Sequence, residues 1–191
     1  FRSGRNWTEV VHGVSFDVAA RETVALVGES GSGKSVTAMS VLGLLPPAST
    51  RVEGNILLEG RNLLGLDTSA LREIRGRDVS MVFQEPMTSL NPVMTCGAQI
   101  TESLQIHRGL NAKAAKTEAL RLLDRVRIPD AVHRFGDFPH QLSGGMRQRI
   151  MIAIALACNP RLVIADEPTT ALDVTIQAQI LDLIKELQTE E

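Results

Sequence analysis

What the chain most plainly lacks is an excess of charge of either sign: 20 basic residues stand against 22 acidic ones, for a formal net charge of −2. With no overall positive field there is no general attraction for polyanions, and a nucleic-acid partner is not expected. Long hydrophobic runs are missing too. The longest purely apolar stretch, residues 150–158, has nine positions, well short of the ~18 or more that a membrane span needs. Cysteine is scarce: Cys96 and Cys158 form no metal-type spacing, so a reduced, cytosolic setting is expected. The opening residues Phe1-Arg2-Ser3-Gly4-Arg5 carry no apolar core of the signal-peptide kind. Internal repeats and low-complexity linkers are absent as well. The chain opens on Phe1 rather than Met and closes on Glu190-Glu191 amid helix-like text, which reads as a fragment cut at both ends.

What is present fits one well-buried domain: 191 residues, 43% of them hydrophobic, with room for a small subdomain. Val14, Phe16 and Val18 alternate with smaller or polar residues, the period-two pattern of a half-buried strand, and the apolar run Thr23-Val24-Ala25-Leu26-Val27 predicts another. Residues 36–45 read as a helix stopped by Pro46-Pro47, and Val52, Ile56 and Leu58 suggest a strand pair near Gly54 and Gly60. Residues 79–83 are a short buried-strand candidate. Residues 112–127 predict a helix with Leu120, Leu123 and Val126 on one face, closed by Pro129, and helices dominate from about 97 to 158. The run Leu162-Val163-Ile164-Ala165 returns to strand, and 174–187 to helix. The outline is an α/β nucleotide-binding core with a helical insertion.

The chemistry starts at Gly28-Glu29-Ser30-Gly31-Ser32-Gly33-Lys34-Ser35, between the second predicted strand and the first predicted helix. Glycines let backbone N–H groups curl around phosphate oxygens, and the new helix directs its positive end at the same anion. Lys34 then supplies a point charge to the β- and γ-phosphates and the Ser35 hydroxyl a magnesium ligand. Far downstream, an apolar strand ends in Asp166-Glu167. There Asp166 can reach the magnesium and Glu167 can accept a proton from an attacking water. Gln84, directly after the strand 79–83, offers a neutral amide that could touch the magnesium or the water and sense the γ-phosphate.

A second phosphate-binding helix end is legible at Leu142-Ser143-Gly144-Gly145-Met146-Arg147-Gln148-Arg149, ahead of a helix over 146–158 with Ser143 as its cap. One nucleotide rarely needs two such ends from one subunit. The economical geometry is two copies arranged head to tail, each ATP lying between the loop of one and Ser143-Gly144-Gly145 of the other.

These residues, with Ala171-Leu172-Asp173, stand in the order and spacing of the ATP-binding cassette ATPases, and the resemblance covers essentially the whole chain. Residues 82–92 and 169–181 resemble more narrowly the bacterial oligopeptide/dipeptide importer ATPases, whose nickel and glutathione relatives carry similar text. The resemblance implies a RecA-like P-loop core with an N-terminal antiparallel β subdomain over 1–86 and 159–191, and a helical subdomain over 87–158. It implies that Lys34 binds phosphate, that Ser35, Gln84 and Asp166 serve Mg2+, and that Glu167 polarises the water. Ser143 and Gly145 would meet the γ-phosphate of the opposite subunit, Asp173 would couple the two sites, and Phe1, rather than Trp7, would stack on adenine. The implied partners are a second ATPase subunit, identical or paralogous, transmembrane permease subunits received by the helical insertion, and indirectly an extracytoplasmic solute-binding protein. The implied location is the cytoplasmic face of the membrane.

The chain departs from the family at Thr170, where many cassettes have serine, and in having no histidine after Asp173. The family's switch histidine belongs there, so slow hydrolysis by residues 1–191 is expected. His140 reads as a local structural residue. Competing readings are a soluble cassette ATPase acting on nucleic acid or ribosomes, a binding module without turnover, which Glu167 argues against, and a small-molecule kinase, which has no use for 142–148.

Overall fold

The computed structural model describes residues 1–4, 6–169 and 173–190, in two compact units, Phe1–Arg72 and Glu73–Glu191.

In the first unit, strands β1 (Arg2–Ser3) and β2 (Asn6–Trp7) pair as an antiparallel hairpin. Helix α1 (Lys34–Val41) follows the glycine-rich loop. It ends before the expected prolines: the Gly43 N–H donates to the Ser40 carbonyl at 3.1 Å and the Leu44 N–H to the Met39 carbonyl at 3.0 Å. That is a Schellman closure with Gly43 in the left-handed region at φ 59°. Strands β3 (Leu57–Leu58) and β4 (Arg61–Asn62) form a second antiparallel hairpin. Its two-residue turn, Glu59-Gly60, has positive φ at both positions, 48° and 81°, as a type I′ turn demands. The Asn62 carboxamide oxygen fastens the hairpin's base, accepting from the N–H groups of Ile56 and Leu64, both at 3.1 Å.

Two expected strands are not there. Residues 14–18 and 23–27 belong to none of the sheets among the described residues, and Phe16 and Val27 are 45% and 93% exposed. A period-two pattern selects a face, but a strand exists only where a neighbour takes its N–H and C=O groups.

The chain enters the second unit through α2 (Thr68–Ile74). Strand β5 (Val79–Val82), buried along its whole length, pairs in parallel with β6 (Leu162–Ala165), in register Val79 with Leu162 through Val82 with Ala165. After β5 come α3 (Pro86–Ser89), α4 (Cys96–Arg108), α5 (Ala112–Arg125), α6 (Ala131–Arg134) and α7 (Gly144–Leu156), and after β6 comes α8 (Val174–Glu190). Helix α5 packs on α4 and buries Ala115, Ala119, Leu122 and Leu123. Leu120, expected on that stripe, is half-buried. Pro129 does not close α5. Arg127, at φ 59°, does, with Ile128 N–H donating to the Leu123 carbonyl at 2.9 Å.

Buried Gln99 on α4 shapes the segment after α3. Its side-chain oxygen accepts from the Asn91 N–H at 2.9 Å, and its nitrogen donates to the carbonyls of Asn91 and Met94 at 3.0 and 3.1 Å. The core gathers Leu104, Leu122, Leu123, Ile150, Ile152 and Ile180, all fully enclosed. Among the described residues, no helix is long and apolar enough to cross a membrane.

Candidate nucleotide site

Residues 28–32 of the glycine-rich loop lie exposed in the first unit, and Gly33 is buried. Gly33 caps α1 in the left-handed region, φ 94° and ψ 8°, and a Cβ there would lie 2.9 Å from Cγ2 of Val11. Both conditions require glycine. At Gly28 a Cβ would meet Ser32 Oγ at 2.6 Å. Lys34 Nζ reaches back across the loop and donates to the carbonyls of Gly28 and Glu29 at 2.9 and 3.0 Å. The ammonium is thereby held over the curl of backbone at the start of α1, where a helix N-terminus favours anions. Glu29, Ser30, Gly31 and Ser32 form the exposed rim of this curl, and Ser35 begins the helix next to Lys34. Phe1 is tied into the β1–β2 hairpin, its ammonium donating to the Thr8 carbonyl at 2.7 Å. The segment that meets the loop at Gly33 is Val10-Val11, which the sequence reading did not single out. No sequence signal marks that contact.

The second unit brings the other acidic and amide groups together. The parallel ladder runs one residue past β6, with the Asp166 N–H donating to the Val82 carbonyl at 2.9 Å. Asp166 is buried, and Glu167 turns into the left-handed region at φ 45°. That turn carries the Glu167 carboxylate to the end of β5, where Gln84 Nε2 donates to Glu167 Oε2 at 3.0 Å across 83 residues of chain. Parallel pairing accounts for the meeting, since Gln84 and Glu167 each stand two residues beyond the paired Val82 and Ala165. The register that joins the two motifs is invisible in either alone.

Ser143 caps α7 as expected, its Oγ accepting from the Met146 N–H at 3.3 Å. The helix begins at Gly144, two residues before the predicted start. Gly145 approaches α8 so closely that a Cβ would lie 3.0 Å from Cγ2 of Ile176. Asp173 Oδ1 accepts from the Ile176 N–H at 3.0 Å and so caps α8. Thr170, Ala171 and Leu172 lie outside the described residues. His140 stacks on Phe138 with ring centroids 5.7 Å apart, and its carbonyl accepts from Arg147, a local structural role. Cys96, buried at the start of α4, has its thiol pushed up to about 11 by burial, which makes it a poor nucleophile.

A family model described as ABC transporter matches residues 11–170. The chain belongs to the ABC transporter family. This family member is 54% identical over 190 residues to a putative peptide import ATP-binding protein of Brucella abortus (strain 2308), covering 100% of this chain and 57% of that protein. It is 57% identical over 181 residues to a dipeptide transport ATP-binding protein of Bacillus subtilis (strain 168), covering 94% of this chain and 54% of that one. The chain thus spans little more than half the length of the curated relatives it matches. An ATP-binding cassette solved as a dimer in a post-hydrolysis state with ADP and Pi matches at TM-score 0.86 and 31% identity, over 100% of this chain and 79% of that one. The ABC fold is therefore the P-loop NTPase α/β fold expected from the motifs.

Proposed function

We propose that this chain is the nucleotide-hydrolysing part of a bacterial importer for peptides or a related small solute. The observation that carries the reading is the hydrogen bond from Gln84 to Glu167 beside buried Asp166 at the end of a parallel strand pair. The family membership and the peptide-import and dipeptide-transport names of the relatives support it. They favour it over a soluble ATPase acting on nucleic acid or ribosomes.

In this reading Lys34 and the backbone of residues 28–35 hold the phosphates of ATP. Glu167 takes the proton of the attacking water, and Gln84 orients Glu167 through its amide nitrogen. In this reading the Ser35 hydroxyl, the Asp166 carboxylate and the Gln84 carbonyl oxygen, all hard donors, would serve a magnesium ion, and the Gln84 nitrogen is engaged with Glu167. Phosphate and water oxygens would complete the coordination of such an ion. When bound, Mg2+ neutralises charge on the phosphates.

Ser143, Gly144 and Gly145 act on the nucleotide of a second cassette subunit arranged head to tail, and Asp173 couples the two sites; the dimeric state of a structural likeness supports a second copy. Residues 87–158 form the helical subdomain that meets permease subunits at the cytoplasmic face of the membrane, with a solute-binding protein delivering cargo outside. Phe1 is the adenine-stacking aromatic. The slow turnover expected of residues 1–191 rests on the family likeness, and comparing their steady-state ATP hydrolysis with that of a chain extended beyond residue 191 tests it.

Lys34 and Glu167 are expected to fail differently, because one holds charge already present in ATP and the other acts only as water is activated. Lys34→Ala weakens ATP binding and hydrolysis together. Glu167→Gln keeps binding and accumulates an ATP-bound dimer, read by nucleotide titration and light scattering. Equal loss of ATP affinity in both variants removes Glu167 from its assigned role.

A further inference from the structure

Helices α7 and α8 touch near their starts within the second unit. The second residue of α7, Gly145, meets the third residue of α8, Ile176, so tightly that a Cβ would come within 3.0 Å of Ile176 Cγ2. One turn further on, the sixth residues of the two helices meet: an Arg149 Nη2 hydrogen bond reaches Gln179 Oε1 at 3.1 Å. Both contacts fall within the first two turns of each helix, so the N-terminal ends of α7 and α8 stand together. The two N-caps, Ser143 and Asp173, therefore lie at neighbouring helix starts.

Neighbouring N-termini bring two positive helix ends together, an arrangement that repels. What opposes the repulsion can be named. The Asp173 carboxylate sits at one of the two ends, on the Ile176 N–H. Gly145 has no side chain to hold the helices apart. Arg149 is buried, with its other terminal nitrogen donating to the Val126 carbonyl at 3.0 Å, so the tie to Gln179 is anchored at its α7 end. Ile176 has two jobs at once, completing the Asp173 cap with its N–H and filling the space against Gly145 with its side chain.

We infer that Ile176 and the Arg149–Gln179 pair are positioning residues that hold the N-terminal ends of α7 and α8 together, so that Ser143 and Asp173 meet a second copy of this chain as one rigid face. The inference deepens the proposed function and rests on its head-to-tail arrangement. Neither Ile176 nor Gln179 touches nucleotide in this scheme; both act through the helices they join.

Gln179 is exposed, so Gln179→Ala removes the acceptor without opening the core and leaves Arg149 its bond to Val126. Gln179→Glu keeps an acceptor in place. Both are compared with the parent for ATP affinity, for kcat and KM, and, in a Glu167→Gln background, for ATP-dependent dimerisation. For Gln179→Ala, kcat and the dimerisation constant are expected to fall about 5- to 10-fold, the scale of one ordinary hydrogen bond, while ATP affinity stays within about twofold. Gln179→Glu is expected to restore both. A Glu167→Gln protein that stays monomeric with ATP overturns the head-to-tail reading and this inference with it. A dimer unmoved by Gln179→Ala, a Glu variant as poor as the Ala variant, or a loss of ATP affinity that matches the loss of turnover overturns this inference alone.

Discussion

Replacing Gln84 by glutamate tests the central contact of the site through its pH dependence. In the structure a neutral amide nitrogen lies 3.0 Å from Glu167 Oε2. The substitution puts a second carboxylate at that distance. Two like charges 3 Å apart repel by about 1.4 kcal/mol in a water-like dielectric and about 5.5 kcal/mol at an effective dielectric of 20, or about one to four pKa units. Gln84 is exposed and Glu167 half-buried, so the value belongs near the lower end, about one to two units. One carboxyl of the pair then keeps its proton to higher pH, and a general base that must be ionised loses activity first on the acid side. The acid limb of the pH–rate profile for ATP hydrolysis is therefore expected to move up by about one to two units in Gln84→Glu. In Gln84→Ala the rate falls with no such movement. An acid limb for Gln84→Glu that coincides with the parent's refutes the reasoning, because it means the residue at 84 does not sit against the base when water is activated.

Two further outcomes concern stability. Gly97→Ala is expected to cost about 1–3 kcal/mol in urea denaturation, because a Cβ there would lie 2.5 Å from Cδ1 of Phe135, whose ring is also held under Lys116; an unchanged midpoint means that the ring can step aside. Glu118 is held down to about 2, first by its hydrogen bond from Arg121 and also by Arg108. A depressed folded pKa gives stability that is complete above about pH 4.5 and is lost as pH falls towards 2. Taken whole the shift is worth about 3 kcal/mol, and with Arg121 54% exposed about 1–2 kcal/mol is expected. Glu118→Gln thus destabilises by that amount at pH 7 and by much less at pH 2, whereas an equal penalty at both pH values refutes the ion-pair account.

Local signals proved readable where a few adjacent residues decide the structure. The loop 28–35, the Ser143 cap and the strands at 79–82 and 162–165 all stand where their residue types require. Helix ends were misplaced for a physical reason. Pro46 and Pro129 forbid continuation, but the chain had already turned at Gly43 and Arg127, and nothing in the residue type of Arg127 announces a left-handed φ of 59°. The strands expected at 14–18 and 23–27 show the same limit from the other side, since their apolar alternation carries no information on whether a partner is present. In the site, Gln84 and Glu167 were each legible as groups with chemistry to do. That they bond to each other follows from strand register, which no short stretch encodes. The contacts of Val11 with Gly33 and of Ile176 with Gly145 join residues distant in the chain, and neither isoleucine nor valine differs in sequence from any other apolar position.

The Gln99 amide gives the segment at 91–94 an unusual division of labour. The bonds that set its shape run from Gln99 to backbone atoms of Asn91 and Met94, with the Val93 N–H donating to the Asn91 side chain at 3.1 Å. The side chains of 91 and 99 supply these bonds, and the Met94 N–H adds a backbone bond to the Asn91 carbonyl at 3.3 Å. The side chains of Pro92 and of Val93, 78% exposed, contribute none of the bonds that set its path. A scaffold of this kind separates conformation from display: the outward residues can be exchanged, as a changed partner would require, while the curve that carries them is inherited intact from the helix beneath.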